Sequence, residues 1–194
     1  MTMAVAQPTK VITGTVRLSY AHLFEPFAFN PEKDEPKFSV VLLIPKSDKA
    51  TIKKIKAAQK AALEQGKSSK FNGKIPTNWS NTLRDGDEEK DLEENPEFAG
   101  HYFMTVSART RPGIVDRDVQ PILDSTEVYS GCYARASINA FPYSVSGNKG
   151  VSFGLNHIMK VKDGEPLGGR SSAEDDFAEF AGESDEFDED DDLI

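Results

Sequence analysis

Residues 132–141 read Cys132-Tyr133-Ala134-Arg135-Ala136-Ser137-Ile138-Asn139-Ala140-Phe141. In a strand, successive side chains point to opposite faces. Cys132, Ala134, Ala136, Ile138 and Ala140 therefore share one small, apolar face, and Tyr133, Arg135, Ser137, Asn139 and Phe141 share the other. Small inward residues suit a tight, strongly curved interior, which predicts a small barrel rather than a flat sheet. Downstream, Ser146-Gly147-Asn148-Lys149-Gly150 predicts a hairpin turn. The return strand places Val151, Phe153, Leu155, His157, Met159 and Val161 on one face, with Ser152, Gly154, Asn156 and Lys160 opposite.

Upstream, Val11 to Tyr20 alternates, with Ile12, Val16, Leu18 and Tyr20 on one face and Thr13, Thr15, Arg17 and Ser19 on the other. His22 to Pro36, rich in Phe and Pro, predicts an irregular aromatic loop. Phe38 to Ile44 is a near-continuous apolar run stopped by Pro45, which predicts a central strand. A helix follows, with Ser47 as N-cap and Gly66 just beyond its end. Ile52, Ile55, Gln59, Ala62 and Leu63 form its inner stripe, and Lys49, Lys53, Lys56 and Lys60 run beside them. Stacked lysines repel one another, so they point either to a solvated face or to a nearby anion. Residues 67–100 form a long polar insertion that carries Trp79 and an acidic stretch, Asp85 to Glu94. Insertions of that length in compact domains are usually functional or mobile. Trp79 has no apolar periodicity around it, which leaves both a core and a cleft position open. His101 to Arg109 alternates again, with Tyr102, Met104, Val106 and Ala108 on one face, and Arg111-Pro112-Gly113 predicts a turn.

Charge divides the chain in two. Twelve of the 32 acids lie in residues 171–194 with no Lys or Arg, and the other 20 face all 23 Lys and Arg, so a body near +3 carries a tail near −12. A like-charged block of this kind cannot bury enough apolar surface to offset its ordering entropy, which predicts disorder. The expected organisation is a flexible N-terminus over 1–10, a folded domain over 11–165 with its insertion at about 67–100, and an acidic tail over 166–194. A purely solubilising tail gains nothing from an apolar end. Asp190-Asp191-Asp192-Leu193-Ile194 therefore points to a partner-binding tail that fits a basic groove or pocket.

The single cysteine, Cys132, excludes an intrachain disulfide framework and a cysteine-cluster metal site, as expected for a reducing cytoplasm. No apolar run is long enough to cross a bilayer, and no secretory signal opens the chain. The outward faces gather Arg17, Arg109, Tyr133, Arg135, Asn139 and Phe141. Rings interleaved with cations and amides suit a single-stranded nucleic acid, whose bases stack while its phosphates meet the cations. Arg111, Trp79 and the helical lysines complete the candidate set. Catalysis is poorly supported. The histidines are scattered, Cys132 faces inward, and no phosphate loop or zinc motif is present. No cofactor and no metal is expected.

The chain resembles the phage and prophage single-stranded-DNA-binding proteins with an acidic C-terminal tail, a family first catalogued as a phage domain of unknown function. The resemblance rests on the Val11–Tyr20 strand with its Phe24–Phe29 loop, and on the Phe38–Pro45 strand before a lysine-rich helix. It rests also on Tyr129-Ser130-Gly131-Cys132-Tyr133-Ala134-Arg135 and the ending Phe187 to Ile194. It implies a mainly β, OB-fold-like, five-stranded Greek-key barrel with one helix, a long insertion and a disordered tail. It also implies sequence-independent binding of single-stranded DNA in phage replication or recombination, without catalysis, in the host cytoplasm. The tail would recruit replication or recombination proteins, and a homodimer is left open. Two other readings compete. One is a metal-dependent nuclease or resolvase accessory using Asp116, Asp118 and Asp124; the other is a DNA mimic whose body binds a protein.

Overall fold

The computed structural model describes residues 8–167 and 176–182. Asp190 to Ile194, the expected partner-binding end, lie outside the described residues. The strands are β1 (Lys10–Ile12), β2 (Val16–Phe27), β3 (Lys37–Pro45), β4 (Ser80–Asn81), β5 (Arg84–Asp85), β6 (His101–Ala108), β7 (Gly113–Val115), β8 (Tyr133–Val145) and β9 (Asn148–Lys162). The helices are α1 (Lys49–Ser69) and the short α2 (Gly86–Glu89).

Five of these strands close a ring. β2 pairs with β3, β3 with β6, and β9 with β8, which returns to β2, all antiparallel. β6 meets β9 in parallel at Ser107 and Gly154. This is the expected five-stranded barrel, with short strands added at its rims. The inner face of β8 carries Ala134, Ala136, Ile138 and Ala140, all buried as the alternation requires, and Cys132 is buried just before them. Residues 37–45 form the central strand as expected, and their unbroken apolar run has a physical cause. Val40, Leu42 and Ile44 face the barrel core, while Leu43 packs in a separate outer cluster with Phe98 and Phe103.

The first strand departs from expectation. Its pairing is broken at Thr13–Thr15, where the Gly14 amide donates to Thr51 Oγ1 at 2.8 Å. A Cβ on Gly14 would stand 2.4 Å from Asp48 Oδ2, so only glycine lets the helix start approach this closely. The break shifts the alternation, so Val11, Thr13, Val16 and Leu18 point inward and Ile12 is exposed. A bulge at Ser19–His22, with Tyr20 at φ 46°, then turns Tyr20 to solvent. The loop expected over His22–Pro36 starts later than expected, because β2 runs on to Phe27, and residues 28–36 are irregular.

The helix is displaced from expectation at both ends. Asp48, rather than Ser47, is the N-cap, accepting from the Thr51 amide. Gly66 lies inside the helix, because a Cβ there would meet Pro142 and Phe71 at 2.6 and 2.7 Å. Packing, rather than chain reversal, is the reason for that glycine. On the return strand, the register shift between Ser137 and Ile138 inserts Asn156 as an extra residue. The phase inverts there, so Ile158 is buried and His157, expected inside, is exposed.

Candidate nucleic-acid interface

The outer face of β3 and β6 is the floor of a groove. At one end the β8–β9 hairpin supplies Phe141, Tyr143 and Val145 to a cleft of about 770 Å³ that also holds Lys37, Arg84 and Arg109. At the other end a cleft of about 310 Å³ is lined by Tyr20, His22, Phe29, Ser39, Thr105 and Lys90. Arg84 lines both, so the two clefts form one strip with rings and cations at each end and Arg84 where they meet. Phe141 is 43% exposed and Phe29 84%. Lys37 and Arg109 have no ion-pair partner among the described residues.

At the second end the rings form a layered set. His22 lies flat on Phe27 at 4.3 Å and 8°, and Phe27 meets Phe29 edge-on at 5.2 Å. Burial against these rings lowers the His22 pKa below its ordinary value, so the imidazole is neutral at pH 7.

The acidic insertion is a docked lobe rather than a free loop. Phe98 is buried and meets Phe103 edge-on at 5.1 Å, with Lys90 over both rings. Lys46 holds Asp85 and Asp87 at 2.7 Å each. Asp87 also accepts from the Gly100 amide at 3.0 Å. Lys46, and secondly the Gly100 amide, hold the Asp87 carboxyl below the usual carboxylate range. A depressed carboxylate contributes its stability above the unfolded pKa and loses it as pH falls through the folded value. The tether is therefore complete at neutral pH and is released below about pH 4. In Lys46→Met the Asp87 titration, followed by the Gly100 amide shift in NMR, is expected to move up toward the ordinary value. An unchanged midpoint would show that Lys46 does not hold the lobe.

The structure separates the sequence-derived candidates. Arg109 and Phe141 meet in the groove. Arg17 donates to the Gly131 and Glu165 carbonyls at 3.2 and 2.7 Å, clamping the chain where it leaves the barrel. Tyr133 sits between Arg17 and Lys162, at 5.7 and 4.8 Å from its ring. It lies about 26 Å from Phe141 by the ~3.3 Å rise of a strand. Arg135 is exposed between them on the same outward row. Arg111 lies over Phe24 at 5.1 Å and shares a side cleft with Asn139. Lys49, Lys53, Lys56 and Lys60 are exposed on α1 and line none of these clefts. Trp79 is half-buried against the barrel core.

The acids weighed for metal chemistry serve turns. Asp116 accepts from the Asp118 and Gln120 amides, and Asp124 accepts from the amide and hydroxyl of Thr126. Burial pushes the Cys132 thiol pKa up, as suits a core residue. Tyr20, His22, Phe29, Lys37, Arg84 and Tyr143 join the groove without having been candidates: the irregular pairing of β2 places Tyr20 and His22, pairing with Phe103 places Arg84, and Tyr143 continues the outward row of Phe141.

Comparison with known proteins gives this surface a context. The family described as "Enterobacter phage Enc34, ssDNA-binding protein" matches residues 9–193. Putative protein p50 of Acyrthosiphon pisum secondary endosymbiont phage 1 is 32% identical over 174 residues, covering 86% of this chain and 91% of that protein. The single-stranded DNA-binding protein from bacteriophage Enc34, solved in complex with ssDNA, superposes with a TM-score of 0.66 at 28% identity, over 82% of this chain and 90% of that one. The gp2.5 single-stranded DNA binding protein of bacteriophage T7 shares the fold at a TM-score of 0.59 and 14% identity, over 95% of this chain and 98% of its own. With residues 9–193 matched, the chain belongs to the phage Enc34 single-stranded-DNA-binding protein family.

Proposed function

We propose that this protein binds single-stranded DNA, without sequence preference, in phage replication or recombination, and catalyses no reaction itself. The observation that carries this reading is the groove with Phe141, Tyr143, Lys37 and Arg109 at one end and His22 and Phe29 at the other, Lys37 and Arg109 having no ion-pair partner among the described residues. Rings of this kind stack on unpaired bases and do not reach paired ones, while the cations follow the phosphates. The family supports the same reading. Tyr133, Arg135 and Asn139 extend the outward row of β8 beyond the groove, and Arg111 stands beside Asn139. No helix among the described residues is long and apolar enough to cross a membrane. The place of action is the host cytoplasm.

The tail is the second half of the proposal. It carries about −12 over residues 171–194 and is tethered to a body near +3. Tethering holds it at millimolar-order effective concentration near any basic groove. It therefore competes with DNA, and DNA in the groove frees its acids and Leu193-Ile194 for replication or recombination proteins. The test is a titration with oligo(dT) and with duplex, read by Trp79 fluorescence, in the full chain and after deletion of 171–194. Single strand is expected to bind more tightly than duplex. Deletion should tighten binding, most clearly near 0.01 M salt, where the Debye length is ~30 Å, and little at 1 M. Equal affinity for both nucleic acids would remove the reading. Unchanged affinity after deletion would remove only the competition.

A further inference from the structure

The groove does not end at the hairpin. Its two walls there, the β8–β9 turn and the segment around Trp79, continue into a second cleft of about 590 Å³. Ser80 and Val145 line the groove, while Asn78, Gly147 and Lys149 line this cleft. Lys74 forms its far side, together with Asn72. Lys74 is placed there by a turn through Asn72 and Gly73, at φ 53° and 85°, which folds back on the end of α1. The Gly73 amide donates to the Lys67 carbonyl at 2.6 Å, and the buried Phe71 ring, against Gly66, anchors the turn.

Lys67 follows Lys60 by seven residues, close to two helical turns, so it extends the lysine row of α1 on the same face. From Lys67 to Lys49 that row is about 27 Å long at ~1.5 Å per residue. None of its members has an ion-pair partner among the described residues, and no acid lines the cleft. The row is thus continuous with the groove through Lys149 and Lys74. It is also bare of exposed rings, since Phe71 is buried.

We infer that single-stranded DNA leaving the groove crosses the Ser146–Gly147 tip and runs through this cleft onto α1, its phosphates meeting Lys149, Lys74, Lys67 and Lys60. This rests on the reading that the groove binds single-stranded DNA. The bases stack in the groove, and only the backbone is held beyond it. The second segment adds salt-dependent affinity for long strands and nothing for strands that fill the groove alone.

The test uses the full chain carrying Lys67→Gln, Lys74→Gln and Lys149→Gln, with oligo(dT) of about 6 and about 25 nucleotides, within and beyond the 4–16 nucleotide site of one OB fold. All three side chains lie at the surface or in the open cleft, so the fold is retained. For the long strand the log–log salt slope is expected to fall by about 2, at ~0.7 per lost phosphate contact, with the short strand unaffected. Equal losses for both lengths, or none for either, would overturn the inference. Tighter binding of the long strand by the variant would also overturn it, because the lysines would then be holding the acidic tail. Phe141→Ala serves as the separate arm. If it leaves both lengths unchanged, the groove reading fails, whatever the lysines do.

Discussion

Replacing Phe141 and Tyr143 together by Ala is expected to weaken single-stranded DNA binding by about 30-fold or more. Each ring that stacks a base contributes about 1–3 kcal/mol, and both line the same cleft of the groove. The loss should leave the salt slope almost unchanged, since no charge is removed. Arg109→Ala in the same cleft should do the opposite, lowering the slope by about 0.7 with a smaller loss of affinity. The outward position of Phe141, 43% exposed on β8, means that its removal opens no core cavity. A fall in thermal stability is therefore not expected to accompany the loss of binding in the single variant Phe141→Ala. The outcome that would sink the assignment is a double variant that binds oligo(dT) as tightly as the parent.

The second large effect is structural. Phe98 is buried under the lobe, edge-on to Phe103 and beneath the Lys90 ammonium. Truncating a buried Phe to Ala costs about 3–5 kcal/mol where the surroundings cannot collapse. Here the cost falls on a docking contact, because the outer cluster of Leu43, Phe98 and Phe103 is separate from the barrel core. The global loss is thus limited to whatever free energy the docked lobe contributes, after which the lobe opens on its own. Phe98→Ala is expected to make the Glu88–Glu94 stretch a rapid target for a glutamate-specific protease. The barrel's thermal transition should move by only a few degrees. DNA binding should weaken too, because Lys90 reaches the groove from the docked lobe. A lobe that stays protease-resistant would show that Lys46 and its aspartates suffice to hold it.

Much of the fold was legible because its signals are local. The alternation of 132–141 and the apolar run of 38–44 are set by which side of a strand meets the core, and both are read correctly from periodicity. The apolar stripe of α1 is legible for the same reason. The groove was only half legible. Arg109 and Phe141 stand outward by simple alternation, so their strands declare them, but their partners depend on where the alternation is broken. Gly14, Ser19–His22 and Asn156 each shift it by one residue, which exposes Ile12, Tyr20 and His157 against expectation. Such a shift is fixed by a distant contact, as when the Gly14 amide meets Thr51, thirty-seven residues away.

The sequence by itself determined that a slightly basic β body carries a strongly acidic end, and which strand faces are apolar. Composition and period are sums over neighbours in the chain, so they need no tertiary knowledge. Only the tertiary structure decided that Gly66 is a packing residue against Pro142 rather than a helix stop, and that the acidic stretch after Arg84 is a docked wall rather than a loose insertion. It also brought Lys74 and Lys149 together across the hairpin tip. These are contacts between segments far apart in sequence. They arise from shape and charge matched in three dimensions, which no window along the chain contains.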